Sequence, residues 1–383
     1  VMPAVVVSPV RTRYDRWAFM ELPWSLYRDD PNWVPPLRDN LRELVGWKKH
    51  PFHDDAEVET FIARRGKRVC GRIAAILNHA HNRQYGERRG FFGWFESIDD
   101  QEVADALFAA VRDWHAQRDV TQIRGPFNPS PNYEIGLLVD GFDSPPTFMM
   151  TYNPPFYERL IRNAGYYKVQ DLLAFIGELN QLPEIRERLA PMVQMAVERT
   201  GAQIRSMDTS DFMQEVRRFL ELYNRSLVTM WGHVPLSDGE LTHMAKAMRY
   251  LVVPQLAMGA EIDNEYVGVV LALPDFNPAI KASDGRLTPL GIWRLLRVKR
   301  RPRRIRILSI NVVPEYQKWG LGLALMDALV PRGLESGIQE AEFSWIAESN
   351  QLPIQGMRKG GARLYKTYRV FDNEPPAEDT SSA

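Results

Sequence analysis

The chain has 383 residues, 45% of them hydrophobic, and its 48 Lys and Arg residues balance 48 Asp and Glu. That length exceeds one ordinary core and suggests two domains, while the neutral total gives no reason to expect a nucleic-acid partner. A single cysteine, Cys70, excludes an intramolecular disulfide framework and a cysteine-based metal cluster, and suits a reducing cytoplasm.

The start, "VMPAVVVSPVRTRYDRW", has a short apolar run without a basic region before it or a small-residue cleavage site after it. It reads as a strand rather than a signal peptide. No apolar stretch approaches the roughly 20 residues that span a bilayer. A helix candidate, "RWAFMELPWSLYR", follows, and then "ETFIARRGKRVCGRIAAILN" (59–78), which reads as a hairpin about a Gly-Lys-Arg turn. Next come a strand "FFGWFESI", a helix "QEVADALFAAVRDWHAQR", a strand "TQIRGPF", a long turn-rich insert, and a helix "PPFYERLIRNAGYYK".

The segment "GELNQLPEIRERLAPMVQMAVERTG" reads as a linking helix, and beyond it the same order returns. Strand "AQIRSMD" leads to a helix in which Phe212, Val216, Phe219, Leu220 and Tyr223 recur at helical spacing, with Asp211 as the cap. The hairpin "PQLAMGAEIDNEYVGVVLALP" (254–274), strand "IRILSINVV", helix "GLALMDALV", strand "EAEFSWIAE" and helix "LPIQGMRKGGARLYK" complete it. Each hairpin has a glycine near the start of its second strand, Gly71 and Gly268. The separation from Gly71 to Gly165 nearly equals that from Gly268 to Gly361. We read a tandem duplication of an α/β unit: residues 1–178, a linking helix 179–200, a second unit 201–372, and an acidic, proline-bearing tail 373–383 expected to be disordered.

The most informative stretch is "QKWGLG", between the apolar strand and the helix of the second half. A strand that is apolar at nearly every position suits the centre of a sheet. A helix N-terminus behind it offers unsatisfied amides and a favourable dipole to an anion, and Gly320 and Gly322 leave close approach open. The pattern reads as a pyrophosphate cradle, against the alternative of a tight turn whose glycines serve packing. A Walker loop is excluded because no Gly-Lys-Ser/Thr ending is present, and a dinucleotide fingerprint lacks its third glycine at Leu325.

The remaining pattern, Gln-x-x-Gly-x-Gly after a central strand, is met by Gln317, Gly320 and Gly322. Here "NVVPEYQKWGLGLALMDAL" resembles the GNAT superfamily of acyl-CoA-dependent N-acyltransferases, over roughly residues 202–371. The resemblance implies an α/β fold of two tandem GNAT-like units, each a central mixed β-sheet flanked by helices. It implies that amides of Gln317, Lys318, Trp319, Gly320, Leu321, Gly322 and Leu323 hold the CoA pyrophosphate. The pantetheine arm would pair with Ile310, Asn311 and Val312 like an added strand beside a splayed sheet, and a main-chain amide there would polarise the thioester carbonyl. Asn350 stands where the family often contacts CoA, or else caps the following helix.

One position departs from the family. The tyrosine that often protonates the departing thiolate would fall at Met357, which has no proton to give. Tyr365 and Tyr368 lie just beyond; Tyr365 is the candidate acid, with water as its rival. Glu348, Asn311 through a water, and His233 are candidate bases. The first half reads "ESIDDQEVADAL" at the equivalent junction, where Glu96, Asp99 and Asp100 would repel phosphate, so only the second half is expected to bind CoA. Its insert, with Asn132, Glu134, Asp140, Tyr152 and Asn153, lines an acceptor cleft or wraps the sheet. Residues 292–306, "IWRLLRVKRRPRRIR", have eight basic residues in the thirteen positions from Arg294. A solvated run, a contact for an acidic substrate or CoA, and a membrane-surface segment all remain open for it.

The expectation is therefore an acyltransferase moving an acyl group, acetyl first, from CoA to a small primary amine by direct attack, without a metal. Two rivals are kept: an acyl-CoA sensor without turnover, and a transferase using aminoacyl-tRNA, a class that tends to lose the glycine loop kept here.

Overall fold

The computed structural model describes residues 3–227 and 230–375. Two compact units divide the chain: residues 1–172 with 284–286 and 366–383, and residues 173–283 with 287–365. The division falls at Leu172 rather than 178. The helix expected to link the halves lies inside the second unit, and the chain's last strand returns its C-terminal part to the first.

The first unit begins with β1 (Val5–Pro9), α1 (Arg13–Leu26) and α2 (Arg38–Leu44). The hairpin β2 (Ala56–Arg65) and β3 (Arg68–Asn78) follows, then α3 (His79–Tyr85), β4 (Arg89–Ser97), α4 (Gln101–Ala116) and β5 (Gln122–Gly125). The insert contains short strands β6 (Phe127–Asn128), β7 (Glu134–Ile135) and β8 (Leu137–Asp140), and α5 (Tyr157–Asn163) precedes β9 (Tyr167–Glu178). Strands β1 to β4 pair antiparallel in sequence order, and β5 joins β4 in parallel. Residues Val103, Leu107, Phe108 and Val111 recur every third or fourth position of α4 and are fully buried against this sheet. At about 1.5–3 kcal/mol for each large apolar side chain, that stripe is what seats the helix.

The second unit contains α6 (Leu182–Thr200), β10 (Gln203–Ser206), α7 (Phe212–Ser226), α8 (Asp238–Leu251), β11 (Ala257–Ile262) and β12 (Glu265–Pro274). After α9 (Asn277–Ala282) and α10 (Pro289–Arg300) come β13 (Arg304–Val312), α11 (Leu321–Glu335), β14 (Glu340–Ala347), α12 (Gln351–Lys359) and β15 (Arg363–Asp372). Strands β10 to β13 are antiparallel neighbours, and β14 joins β13 in parallel, repeating the first unit's order. The Asp211 side chain caps α7 as its position foretells, accepting from the Gln214 amide.

The duplication is visible in register. Gly71 stands opposite Ser97, and Gly268 stands opposite Val312. A Cβ at Gly71 would come within 2.9 Å of Leu107 and Val103 in α4, and one at Gly268 within 3.4 Å of Leu325 and Leu321 in α11. Both glycines are bare so that the crossover helix can lie close on the hairpin. The insert of the first unit is tied down: the Asn153 side chain bonds the amide and carbonyl of Leu138, and Tyr152 donates to Asp30. Lys366 and Arg369 of the last strand are held by the Gly141 and Ser144 carbonyls and by Asp171 and Glu158. At the start of the expected tail, Asn373 bonds Ile123 and Thr121; the tail from 376 onward lies outside the described residues.

Candidate active site

Strand β13 pairs with β14 from Arg304 opposite Glu340 to Ile307 opposite Phe343, and then continues to Val312. On its other edge it stays paired with β12, with one extra residue, Leu308, bulged between the partners of Leu271 and Ala272. A bulge re-aims a strand and ends pairing locally. The backbone of 308–312 therefore offers an edge toward the β14 side, the stretch in which Ile310, Asn311 and Val312 were expected to receive an extended ligand.

Pro314 closes this strand, and a short 3-10 helix, Pro314–Trp319, leads to Gly320. Gly320 has φ of +82°, a left-handed conformation that side chains other than glycine adopt at a cost. It is the N-cap of α11, so no side chain caps that helix, and its first turn contains no carboxylate. No side chain satisfies the early amides, while those of Leu323 and Ala324 donate to the Gly320 carbonyl at 3.0 and 3.2 Å. A Cβ at Gly322 would meet only methyls of Ile310 and Val312 at 3.6 and 3.9 Å, an ordinary contact. Packing thus does not require glycine at 322, whereas backbone geometry does at 320. Gln317 turns back and donates to the Val312 carbonyl at 2.9 Å, fastening the loop to the strand. Trp319 carries the Arg199 guanidinium over its ring, Lys318 is exposed, and Leu321 is buried in the core while Leu323 is half-buried.

A buried polar cluster lies beside the point where β13 and β14 part. Arg306 stands opposite Glu342 in register, and Ser344 follows two residues on, on the same face. Arg306 Nε donates to Ser344 Oγ at 2.9 Å, and Ser344 Oγ donates to Glu342 at 2.5 Å. The other carboxylate oxygen of Glu342 accepts from the Tyr365 hydroxyl. Glu342, Arg306 and Ser344 are all buried and Tyr365 is half-buried. Two hydroxyls donate to this buried carboxyl group, and the Arg306 guanidinium is linked to it through Ser344. On β13, Asn311 is also buried, and its Nδ2 has no hydrogen-bond partner among the described residues.

Of the residues singled out from sequence, the structure thus brings Ile310–Val312 and Gln317–Leu323 to one strand-to-helix junction, and ties Tyr365 to an unforeseen carboxylate. Asn350 occupies the N-cap position of α12 without making a capping bond through its side chain. Glu348 precedes α12, its carbonyl accepting from Gln351. Met357 packs against the small apolar cluster of Phe175, Ile354 and Ala362. His233 lies buried between α7 and α8, edge-on to Tyr223; burial pushes its imidazole down to about 4, so it is neutral. Asn132 and Glu134 lie in the insert of the first unit. Glu342, Ser344 and Arg306 were missed. An alternating charged and polar pattern, Arg304, Arg306, Glu340, Glu342 and Ser344, on two strands that had to be central was the available signal.

The first unit is built otherwise at the matching place. Asp100 caps α4 with its own carboxylate, accepting from the Glu102 amide, and Arg65 bridges Asp100 and Glu102 at 2.7 Å each. Asp99 pairs with Arg159. Glu96, the register counterpart of Asn311, accepts from Tyr27 and Tyr157 at 2.8 Å each and pairs with Arg72. Burial raises its carboxyl above the usual range.

Among the described residues no group of side chains could hold a metal ion, and no helix is long and apolar enough to cross a membrane. Residues 216–355 match the model of the Acetyltransferase (GNAT) family. Over 374 residues the chain is 34% identical to "Bacterial ceramide synthase" of Caulobacter vibrioides (strain NA1000 / CB15N), covering 96% of both chains. It is 32% identical over 377 residues to "Protein YghO" of Escherichia coli (strain K12), covering 96% of this chain and 95% of that one. Among solved structures it resembles a tandem GNAT protein from the clavulanic acid biosynthesis pathway, with a TM-score of 0.54 at 13% identity, over 97% of this chain and 99% of that one. A GCN5-related N-acetyltransferase from Sphaerobacter thermophilus gives 0.54 at 14% identity over 98% of both. With mixed strand pairing flanked by helices, a strand order repeated in both halves and these relatives, the chain belongs to the GNAT family, as a tandem acyltransferase that uses an acyl-CoA co-substrate.

Proposed function

We propose that the second unit transfers a long acyl chain from acyl-CoA to the primary amine of a long-chain acceptor. The observation that carries the acyl-CoA part is the α11 N-terminus, uncapped by any side chain, at the end of a strand released by its neighbour. Its amides and dipole suit a pyrophosphate, and the 308–312 edge suits the amide-bearing pantetheine arm. The chain-length part is new relative to the sequence expectation of acetyl. It rests on 34% identity to a protein named a ceramide synthase, because a ceramide is the amide of a long-chain amino alcohol. The side chain of Asn311, with a buried amide nitrogen to spare, is suited to donate a bond to a carbonyl at the same edge.

The Tyr365–Glu342 pair favours removing a proton from the amine over giving one to sulfur. Tyr365 already donates its hydroxyl proton to a carboxylate, so toward an amine its oxygen acts as an acceptor. As the amine nitrogen bonds to the thioester carbon and the carbon–sulfur bond breaks, the amine proton passes to the Tyr365 oxygen while the phenolic proton moves to Glu342. The thiolate leaves as the anion and takes its proton from water, so Met357 need not act.

The test is acyl-CoA consumption with acetyl-CoA and palmitoyl-CoA against short amines and a long-chain amino alcohol, with the amide product identified by mass. Palmitoyl-CoA with the amino alcohol is expected to be the better pair. Tyr365→Phe and Glu342→Gln should each lower kcat about tenfold or more while leaving acyl-CoA affinity unchanged. Full activity in both variants would remove the relay. Tight acyl-CoA binding without turnover of any amine would favour the sensor instead.

A further inference from the structure

The crossing from the hairpin to the central strand is where the second unit departs most from the first. Between β3 and β4 the first unit has only α3; between β12 and β13 the second has α9 and α10. Helix α10 buries Gly291 and packs on α9, but Leu290, Ile292, Trp293 and Leu296 are each about half exposed, as is Leu287 just before it. Positions 292, 293 and 296 share one face by helical spacing, opposite Gly291, Leu295 and Val298. Such a run of large apolar side chains in water marks a docking surface.

The charges around it choose the partner. Arg297 and Arg300 continue the same exposed face, and Arg301 and Arg303 are exposed just beyond. No Asp or Glu occurs from Gly285 through Pro314. Tyr250, three-quarters exposed, sits at the same end, its carbonyl accepting from Lys299 at 2.9 Å. An apolar first half followed by a cationic second half, with Trp and Tyr among the exposed residues, is the composition of a helix lying in the lipid headgroup layer. At 12 residues α10 is about 18 Å long, too short for a hydrocarbon core about 30 Å thick, so it lies on a bilayer rather than through it. A second copy of the chain would bring like charges together and is disfavoured.

We propose that α10 is an interfacial anchor that docks the second unit on an anionic lipid surface. Docking would present a bilayer-soluble acceptor without its leaving the membrane, a consequence that rests on the proposed long-chain substrates; the binding itself does not.

The test is co-sedimentation of the full chain with vesicles of phosphatidylcholine alone and with about a quarter phosphatidylglycerol, at low and high salt. Binding to the anionic vesicles, weakened by salt, is expected. The exposed pair Trp293→Ala with Leu296→Ala should weaken it at least about tenfold without changing the melting temperature, and Arg297→Gln with Arg300→Gln should abolish the preference for anionic lipid. The proposal fails if wild type stays in the supernatant, or if the Trp293/Leu296 variant sediments like wild type. It fails equally if light scattering shows a dimer that this variant dissociates while vesicles are ignored, which would assign the face to a second copy. Failure of all turnover with vesicle binding intact would refute the acyl-transfer reading and leave the anchor standing.

Discussion

Helix α4 begins under its own carboxylate and helix α11 begins at a left-handed glycine. Both follow the fourth strand of their unit, and both lie on a hairpin glycine that makes room for them. Around α4 the helix start and the acids are answered: Asp100 caps the amides, Arg65 bridges its acids, and Glu96 is enclosed by two tyrosines and Arg72, although Nε of Arg65 and of Arg72 has no partner among the described residues. Around α11 the first-turn amides have no capping side chain, and Asn311, the counterpart of Glu96, keeps an unused buried donor. The fold tolerates either finish. Satisfying a helix start internally contributes stability, and a start without a side-chain cap forgoes that stability and suits an anion.

The largest test of this comparison is Gly322→Asp. A carboxylate in the first turn of α11 should weaken acyl-CoA binding by about a hundredfold or more, by titration calorimetry, as the aspartates of α4 are inferred to do. Stability should hold or rise, since the new Cβ has room and an acid suits a helix N-terminus. Gly320→Ala is the contrast: it forces a side chain into φ of +82° and should cost about 1–2 kcal/mol of stability as well. Undiminished binding in Gly322→Asp would break the comparison. So would a calorimetric stoichiometry of two acyl-CoA per chain, where one is expected.

Each unit also buries a neutral histidine, and here the two should behave alike. Burial lowers His115, whose Nε2 bonds the Phe91 carbonyl side of β4, and His233 to about 4 each. Because these values lie below the unfolded value of about 6.5, the unfolded chain binds protons that the folded chain refuses as pH falls. Stability from them is present above about pH 6.5 and is lost between there and about pH 4, by at most about 3 kcal/mol for His115. Urea midpoints across that window should fall less steeply in His115→Gln than in wild type; equal slopes would show that this histidine is not the cause.

The smallest effect sharpens the comparison from the other side. Asp100→Ala removes the α4 cap and should cost about 1 kcal/mol in denaturant unfolding, with acyl-CoA affinity unchanged. A change in affinity would mean that the first unit shares the site.

Much of this was legible in local sequence. The hairpin glycines, the Asp211 cap, the strand running into Gln317–Gly320–Gly322 and the aspartates of the first copy are set by neighbours within a few positions. Backbone sterics and helix-end hydrogen bonding act over that range, so residue type and spacing determine the outcome. The Arg306–Ser344–Glu342–Tyr365 cluster was not legible, because its members meet only through the register of β13 on β14 and the return of the last strand. Nothing in the residues near Tyr365 specifies a carboxylate so distant in the chain. The same holds for α10: its sequence made it amphipathic and basic, but only packing decided that α9 covers Gly291's side and leaves Trp293 and Leu296 in solvent. Sequence determined the repeat and the glycine turn ahead of α11 because those are short-range. Tertiary structure alone decided which polar groups are paired and which apolar faces are left uncovered, because burial depends on what the rest of the chain brings alongside.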